Sequence, residues 1–356
     1  MTEKSGGGTV KRNQRKTAAT IYDVAAEAGV SKTTVSRVLN GESNVNAKTR
    51  ASVKKAIKAL RYYPNKAARN LASQAEFRIG LLYNNPSVAY FSELLVGALE
   101  GSSRVGAQLV VDKCEPGDLK AARAAVRNLV KSGLNGMLLT APLSGSADII
   151  DELTTKGVSI VGVATGKFRD DISCVGIDDF TAAYEMTRYL IGLGHRKIGF
   201  VKGHPSHTSS RQRHLGFLAA LKDAGDRMDK PAVVQGYNSY RSGLEAGEEL
   251  LSKNEGITAI FACNDDMASA VMSAAHHRDL RVPQDISVVG FDDTIAGSVW
   301  PALTTVRQPI FEIGAKAIDV IVQNIALSRS GREPNRQNYP IAHQLIVRES
   351  TAPPHR

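Results

Sequence analysis

The chain contains few cysteines and no long apolar run. Its three cysteines, Cys114, Cys174 and Cys263, are odd in number, far apart and set among apolar residues, so they predict buried thiols and not a disulfide framework or a zinc site. No apolar stretch approaches the roughly 20 residues that a membrane helix needs. The basic N-terminus lacks the apolar core of a secretory signal. We therefore expect a cytoplasmic protein with reduced thiols.

The motifs of common catalytic and cofactor sites are also missing. The sequence contains neither the G-x-x-x-x-G-K-[ST] phosphate loop nor G-x-S-x-G around a serine. His204-x-x-His207 and the pair His276-His277 have no further ligands at metal spacing, so they predict surface or loop histidines. We therefore expect no enzymatic activity, no cofactor and no metal site.

Acidic residues are scarce at one end of the chain. Residues 1–75 contain 15 Lys and Arg against 4 Asp and Glu, whereas the remaining 281 residues contain 30 against 31. The net charge of +10 therefore lies in the first 75 residues, which indicates a polyanionic partner such as DNA. Residues 1–18 lack periodicity and predict a disordered basic tail, with a DNA-contacting arm as the alternative.

Residues 20–39 have the pattern of a helix-turn-helix. Thr20 and Asp23 fit a capping box, Gly29 fits the left-handed residue that ends a helix, and Ser31 can cap a second helix. A third helix is expected over residues 47–61. The apolar faces of the three helices would be formed by Ile21, Val24, Ala25, Ala28, Val35, Val38, Leu39, Val53, Ala56, Ile57 and Leu60. By itself, this pattern also fits any small three-helix bundle.

The outward face of the second predicted helix carries Lys32, Thr33, Ser36 and Arg37. These side chains are hydrogen-bond donors long enough to reach phosphates and base edges, and arginine pairs with guanine through two parallel hydrogen bonds. A second helix of this kind enters the major groove of DNA. The pattern therefore predicts sequence-specific binding to double-stranded DNA.

This region resembles the DNA-binding head of the LacI/GalR family of bacterial transcription regulators. The matching segments are TIYDVAAEAGVSKTTVSRVLNG, NVNAKTR and YYPNKAARNLA. The resemblance implies a head over residues 19–75 whose last segment is a hinge helix, with Leu71 as a wedge in the minor groove. The alternative for Leu71 is an ordinary core leucine. The DNA-binding residues implied are Thr20, Tyr22, Ser31, Lys32, Thr33, Thr34, Ser36, Arg37, Asn40, Asn65, Arg69 and Leu71.

From Phe77 onwards, apolar runs of strand length alternate with stretches of helix length. This alternation predicts an α/β fold in which helices cover both faces of parallel sheets. About nine to twelve strands are too many for a single sheet in a domain of this size, so we expect two lobes. The family resemblance implies a fold like that of periplasmic sugar-binding proteins over residues 77–356.

In that fold the chain crosses three times between the lobes. We place the crossings near Ile177, Arg307 and Asn338. Lobe 1 would then comprise residues 77–177 and 308–337, and lobe 2 residues 178–307 and 338–356. The head and hinge helix would precede both lobes.

Polar residues follow several of the predicted strands, where open parallel sheets bind ligands. They are Asn84-Asn85, the loop residues Arg211 and Arg213, Asn264-Asp265-Asp266 and Asp292-Asp293. The resemblance implies that Arg213, Asp265 and Asp292 contact a small effector. The alternative for each aspartate is a helix cap, which we favour for Asp266 and Asp293. Tyr90 and Phe91 are further candidates because an aromatic ring can cover a sugar face, although each also fits a lobe core.

Taken together, these patterns predict a sequence-specific DNA-binding regulator with a small effector bound between two lobes. The family resemblance implies that it is a repressor of carbohydrate-use genes and that the effector is sugar-like. One helix-turn-helix covers only a half-site, so a homodimer is expected. Some members of the resembled family form tetramers through a C-terminal leucine heptad. The segment RESTAPPHR contains no such heptad, so we expect a dimer and not a tetramer. The alternatives are a regulator responding to a non-sugar metabolite such as a purine, a solute-binding protein without a DNA role, and a sugar-processing enzyme.

Overall fold

The structure is a computed structural model that describes residues 19–39, 45–60, 62, 77–83, 85–114 and 119–355. Two compact units divide the chain, Met1–Gln74 and Ala75–Arg356. The predicted tail and much of the predicted hinge helix lie outside the described residues.

The first unit contains the three helices that the sequence predicts: α1 (Ile21–Ala28), α2 (Lys32–Leu39) and α3 (Ala47–Ala59). Thr20 and Asp23 form the expected capping box, and Gly29 ends α1 with φ 63°. All the apolar residues predicted to face inward belong to one core of buried and partly buried side chains. The periodicity of the sequence was therefore sufficient to identify this core.

The second unit is built from alternating strands and helices, as predicted. Its strands are β1 (Arg78–Tyr83), β2 (Gln108–Lys113), β3 (Gly136–Thr140), β4 (Ser159–Val163), β5 (Ser173–Gly176), β6 (Ile198–Lys202), β7 (Ala232–Gln235), β8 (Ala259–Ala262), β9 (Ser287–Val289), β10 (Thr305–Arg307), β11 (Asn338–Pro340) and β12 (Gln344–Ile346). Its helices are α4 (Val88–Val105), α5 (Leu119–Lys131), α6 (Ala147–Thr155), α7 (Asp179–Gly192), α8 (Thr208–Ala224), α9 (Tyr240–Lys253), α10 (Asp265–His276) and α11 (Ile310–Arg329).

Two parallel sheets organise these strands. The first has the order β11-β5-β4-β3-β1-β2, and the second has the order β7-β6-β8-β9. The strands β3, β4 and β8 are buried along their whole length, as expected when helices cover both faces of a parallel sheet. The strands β10 and β12 form a separate antiparallel pair in the segments that cross between the lobes.

The last crossing occurs later than the sequence suggests. We expected it near Asn338, but β11 pairs with β5 in the first sheet, with Asn338 opposite Cys174 and Pro340 opposite Gly176. The chain therefore leaves the first lobe between Pro340 and Gln344. A three-residue strand that ends in proline has too little periodicity to be recognised, and proline is tolerated in it because β11 is an edge strand.

The segment carrying Arg211 and Arg213 is helical and does not form the loop that we predicted. α8 begins at Thr208, although its first turns are polar. Its buried positions include Ser210, Arg213 and Phe217, which are three and four residues apart and share one face. The sequence predicts only the later part of this helix, and its first turns were missed because two of these inward-facing residues are polar.

Cys114, Cys174 and Cys263 are buried free thiols, in agreement with the prediction. Among the helices that the structure describes, even the longest lacks the apolar stretch that a membrane span requires.

α4 and α11 cross so closely that glycine is required where they meet. A Cβ atom added to Gly97 would overlap the backbone carbonyl of Phe311, and one added to Gly314 would overlap the backbone of Leu94 and Ala98. Backbone atoms cannot rotate away as a side chain can, so the two helices would have to separate. The small residues on these two helices therefore determine how tightly the first lobe packs.

We expect Gly97→Ala to destabilise the second unit by about 1–3 kcal/mol because it overpacks this helix crossing. Gly192→Ala is a matched control, since Gly192 lies near the end of α7 with no atom within 4 Å of an added Cβ. The control should be neutral or stabilising by up to about 1 kcal/mol. Urea denaturation followed by far-UV circular dichroism measures both changes. Equal stability of the two variants would contradict the proposed role of the crossing.

Candidate functional site

The exposed face of the head combines residues from α1 and α2. Lys32, Thr33 and Arg37 are exposed, whereas Thr34 and Ser36 are half-buried. The Lys32 ammonium lies 5.2 Å from the centre of the Tyr22 ring and hydrogen-bonds the Tyr22 hydroxyl at 3.4 Å. The side chain of Tyr22 is itself largely exposed, so both helices present polar groups on a common surface.

Two of the predicted DNA-binding residues serve as helix caps. The backbone N–H of Asp23 donates to the Thr20 hydroxyl, and the N–H of Thr34 donates to the Ser31 hydroxyl at 3.2 Å. These bonds leave a DNA contact possible for each hydroxyl, so their predicted roles stay predictions. The remaining predicted residues, Asn40, Asn65, Arg69 and Leu71, lie outside the described residues, and their roles also stay predictions.

A cavity lies in the second unit, at the carboxyl ends of strands from both sheets. This is the position at which open parallel sheets bind ligands. The first lobe contributes Tyr83, Asn85, Ser87, Tyr90, Phe91, Leu94, Thr140, Ala141, Val163 and Ala164, and the second lobe contributes His207, Ser209, Arg213, Asn238, Asn264 and Asp292. The first lobe therefore supplies most of the apolar wall, and the second supplies charged groups and amides.

Arg213 is held in place by buried acceptors. Its Nε donates to Asp179 at 2.8 Å, and its Nη1 donates to the carbonyl of Cys263 at 2.6 Å and to Asp292 at 3.4 Å. The guanidinium also stacks on the ring of Phe291, 3.6 Å from its centre. Asp179 itself does not line the cavity. The sequence analysis did not identify it, because only the folded chain brings Asp179 beside Arg213.

Asp292 is held by the segment that crosses between the lobes. Gln308 donates to its carboxylate at 2.6 Å, and its backbone N–H donates to the carbonyl of Val306 at 2.8 Å. Its φ of 114° is rare for a residue with a side chain, and such strained residues concentrate at functional sites. Burial raises the pKa of Asp292 to about 7, although Arg213 and Gln308 act in the opposite direction.

Asp265, which we predicted to contact the effector, is not among the residues that line the cavity. Asp265 is fully buried outside the cavity wall, where it accepts hydrogen bonds from the Thr294 backbone N–H at 2.8 Å and the Thr305 hydroxyl at 2.6 Å. Asn264 lines the cavity instead and also caps α10 through the N–H of Met267. The strand end was identified correctly, but adjacent residues at a strand-to-helix turn point in different directions, which the sequence does not reveal.

The two aspartates that we assigned to helix caps have other partners. Asp293 accepts from Arg307 at 2.6 Å and from Arg348 at 2.7 Å, so it joins the crossing segments. Asp266 lies in the first turn of α10, which Asn264 caps, and its carboxylate accepts from the Asn264 amide at 3.5 Å. The contacts of Asp293 therefore connect elements that are distant in sequence, whereas that of Asp266 is local.

Tyr90 and Phe91 both line the cavity, as the effector prediction requires. Phe91 stacks on Tyr83 with 3.7 Å between the ring centres, which forms an aromatic wall. Tyr90 is also part of the lobe core, and burial raises the pKa of its phenol. Tyr90 therefore both lines the cavity and belongs to the lobe core, which the sequence analysis had treated as alternatives.

His207 and Asn238 are lining residues that the sequence analysis did not identify. His207 lies in the loop just before α8, one of the two predicted alternatives, but is only 5% exposed, and its Nδ1 lies 3.3 Å from the Asn238 amide nitrogen. Asn238 follows β7, so the same strand-end argument could have found it. Within the described residues, no group of three or more metal-ligating side chains occurs.

Comparisons with known proteins agree for both units. The family model "Bacterial regulatory proteins, lacI family" matches residues 20–65, and the "Periplasmic binding protein-like domain" model matches residues 187–351. The chain is 34% identical to the HTH-type transcriptional regulator DegA of Bacillus subtilis (strain 168) over 337 residues, which cover 94% of this chain and 98% of the relative. Catabolite control protein A of Priestia megaterium is also 34% identical, with 85% of this chain and 92% of the relative covered.

Solved structures of related regulators have the same architecture. The lac repressor dimer bound to operator and the anti-inducer ONPF superposes with a TM-score of 0.71 and 29% identity, covering 94% of this chain and all of the other. The complex of the transcriptional regulator CelR with cellobiose gives a TM-score of 0.69 and 29% identity, covering 93% and 99%. With a helix-turn-helix head, two lobes of parallel sheet and relatives that match nearly its whole length, this chain belongs to the LacI family of DNA-binding transcriptional regulators.

Proposed function

We propose that this regulator represses genes of carbohydrate use by binding operator DNA, and that a sugar in the cavity between the lobes releases it. The observation that carries the proposal is the cavity itself. It lies between two sheets, its wall contains Arg213 and Asp292, and it occurs in the same chain as a helix-turn-helix head. A ligand bound between two lobes can shift their equilibrium, provided that it binds the two arrangements with different affinities.

The lining chemistry supports a sugar as the effector. Hydroxyl and amide groups such as those of Thr140, Asn238 and Asn264 can donate to and accept from sugar hydroxyls, and aromatic rings can cover the apolar face of a sugar. The related CelR structure contains cellobiose.

An exposed apolar patch supports a homodimer. The side chain of Trp300 is 90% exposed, and the groove beside it is lined by Tyr240, Met272, Val282 and Val299, among others. We propose that a second copy of the chain covers this groove, because large exposed apolar patches mark interaction sites and two helix-turn-helix heads are needed for a two-fold operator. The related lac repressor was solved as a dimer on its operator.

We further propose that residues 19–75 form the DNA-binding domain and residues 77–356 the effector-binding and dimerisation domain. The division into Met1–Gln74 and Ala75–Arg356 supports this assignment. We propose a cytoplasmic location, where bacterial operators are found, and a role in binding without catalysis. The match to regulators along 94% of the chain supports both assignments.

The proposal is tested by fluorescence anisotropy with a labelled DNA fragment from upstream of the protein's own gene. The full-length chain should bind this fragment more tightly than a scrambled one, and a neutral sugar from a panel should release it. Binding should weaken steeply as salt increases, because the charge is concentrated in the head. Equal affinity for the two fragments would contradict the proposed repressor.

Arg37→Ala should weaken operator binding by about 1–3 kcal/mol and relax specificity at one base pair, because it removes a bidentate base contact. Lys55→Ala is a control on the exposed face of α3. It should weaken binding to operator and scrambled DNA by the same factor, if at all. Titration of both variants against operators with single base changes measures the effect. An unchanged ratio of specific to non-specific affinity in Arg37→Ala would show that Arg37 does not read a base.

Asp292→Asn should shift the sugar concentration needed for half-release at least tenfold upward, because a carboxylate that accepts from two hydroxyls is replaced by an amide. Its operator affinity without sugar should stay within about twofold of the wild type. Asp226→Asn, an exposed position after α8, is the matched control and should respond normally.

Arg213→Ala is a less suitable variant for this test. It would leave the buried Asp179 without its ion-pair partner, which costs about 3–5 kcal/mol. If Asp292→Asn needs the same sugar concentration for half-release from DNA as the wild type, Asp292 has a structural role and does not contact the sugar.

Trp300→Ser should raise the dimer dissociation constant at least thirtyfold, because a buried tryptophan at an interface centre contributes about 2 kcal/mol or more. Phe180→Ser replaces another partly exposed aromatic residue, on α7 and outside the groove, and should remain dimeric. Sedimentation equilibrium measures both variants. A monomeric wild type, or a Trp300→Ser variant that dimerises as tightly as the wild type, would refute the interface.

A further inference from the structure

Positively charged side chains are scarce at the cavity wall. Among the described lining residues, Arg213 is the only lysine or arginine, and the carboxylates of Asp179 and Asp292 flank it at 2.8 Å and 3.4 Å. His207 also lines the cavity, but burial, together with His204 and Arg213, lowers its pKa to about 4, so it is neutral at pH 7. The wall therefore has no excess of positive charge with which to bind an anion.

The hydrogen bonds of Arg213 reduce its capacity for anions further. Arginine binds a phosphate or carboxylate best through two parallel N–H groups on one edge of the guanidinium. One edge includes Nε, which donates to Asp179, and another includes Nη1, which donates to Cys263 and Asp292. An anion could take such a bidentate contact only by displacing a bond within the protein. A single N–H group is enough to donate to a neutral hydroxyl oxygen.

Further carboxylates surround the cavity. The carboxylate of Asp266 accepts from the amide of Asn264, a lining residue, at 3.5 Å. Burial raises the pKa of the Tyr90 phenol. Asp292, Asp179 and Glu93 raise this pKa further, whereas Arg213 lowers it. Carboxyl groups therefore surround the one guanidinium, and no second lysine or arginine among the described lining residues could balance the charge of an anion brought into the cavity.

We propose that the cavity selects an uncharged polar ligand and rejects the phosphate ester or acid of the same compound. This inference rests on the proposed effector site and specifies the chemistry of its ligand. The neutral lining groups, which include Asn85, Ser87, Thr140 and Asn238, can satisfy hydroxyl groups but cannot balance a charge.

The first test measures inorganic phosphate binding to the full-length chain by isothermal titration calorimetry at constant ionic strength. Asp179→Asn removes one negative charge beside the guanidinium of Arg213, so it should bind phosphate at least tenfold more tightly than the wild type. Asp178→Asn is the matched control, since Asp178 is exposed, caps α7 and does not contact Arg213, and asparagine also caps well. The basic head binds phosphate equally in all three proteins, so differences between them report on the cavity.

The second test compares neutral sugars with their own esters, glucose with glucose 6-phosphate and ribose with ribose 5-phosphate. In the wild type, each ester should bind the cavity at least tenfold more weakly than any parent sugar that binds. An ester that binds as tightly as its parent would overturn the inference. So would an Asp179→Asn variant that is folded by circular dichroism and gains no phosphate affinity. If Asp179→Asn does not fold, Asp292→Asn provides the same measurement.

The inference and the proposed function can fail separately. If Asp179→Asn gains phosphate affinity but no neutral sugar binds the wild type or releases it from DNA, the sugar assignment is wrong and the exclusion of anions stands. If a sugar phosphate releases the wild type from DNA, regulation by a ligand stands and the exclusion of anions is wrong.

Discussion

The buried ion-pair cluster of Arg213 with Asp179 and Asp292 connects parts of the second lobe that are distant in sequence. Asp179 begins α7, Arg213 lies on α8, and Asp292 lies in the turn after β9. Removing one member of a buried ion pair costs about 3–5 kcal/mol, because the charge that remains is neither hydrated nor paired. The cluster therefore positions the charged wall of the cavity and also contributes to the structure of the lobe.

The same cluster extends to the segments that cross between the lobes. Asp292 accepts from Gln308, and its neighbour Asp293 pairs with Arg307 and Arg348. Asp292 and Asp293 both have positive φ, at 114° and 63°, so the turn is held in a strained conformation by these bonds. A ligand that contacts Asp292 acts on a residue already bonded to a crossing segment. The contacts at one wall of the cavity are thus placed where they can influence the relative arrangement of the two lobes.

The head is stabilised in a different way. Its three short helices share a small apolar core and depend on local hydrogen bonds at their ends, such as the capping box of Thr20 and Asp23. Its surface is strongly basic, whereas the rest of the chain is nearly neutral. The caps and the exposed polar side chains of α2 therefore do not depend on the buried ion pairs that organise the second unit.

Much of this protein could be predicted from its sequence. The helix-turn-helix, its inward-facing residues and the alternation of strands and helices follow from periodicity and capping, which are local properties of the chain. The strand-end rule also placed Tyr90, Phe91, Arg213 and Asp292 near a common site, and the structure brings these four together around one cavity.

Tertiary structure alone decided which polar side chains face the cavity and which are used inside the protein. Asp265 and Asn264 are neighbours in sequence, but Asp265 bonds Thr294 and Thr305 in the interior, whereas Asn264 lines the cavity. The ion pair of Arg213 with Asp179 and the pairing of the edge strand β11 with β5 likewise depend on contacts between distant segments. Local patterns determine helices, strands and caps because those depend on neighbouring residues, but the direction and pairing of a buried charge depend on which segments the fold brings beside it.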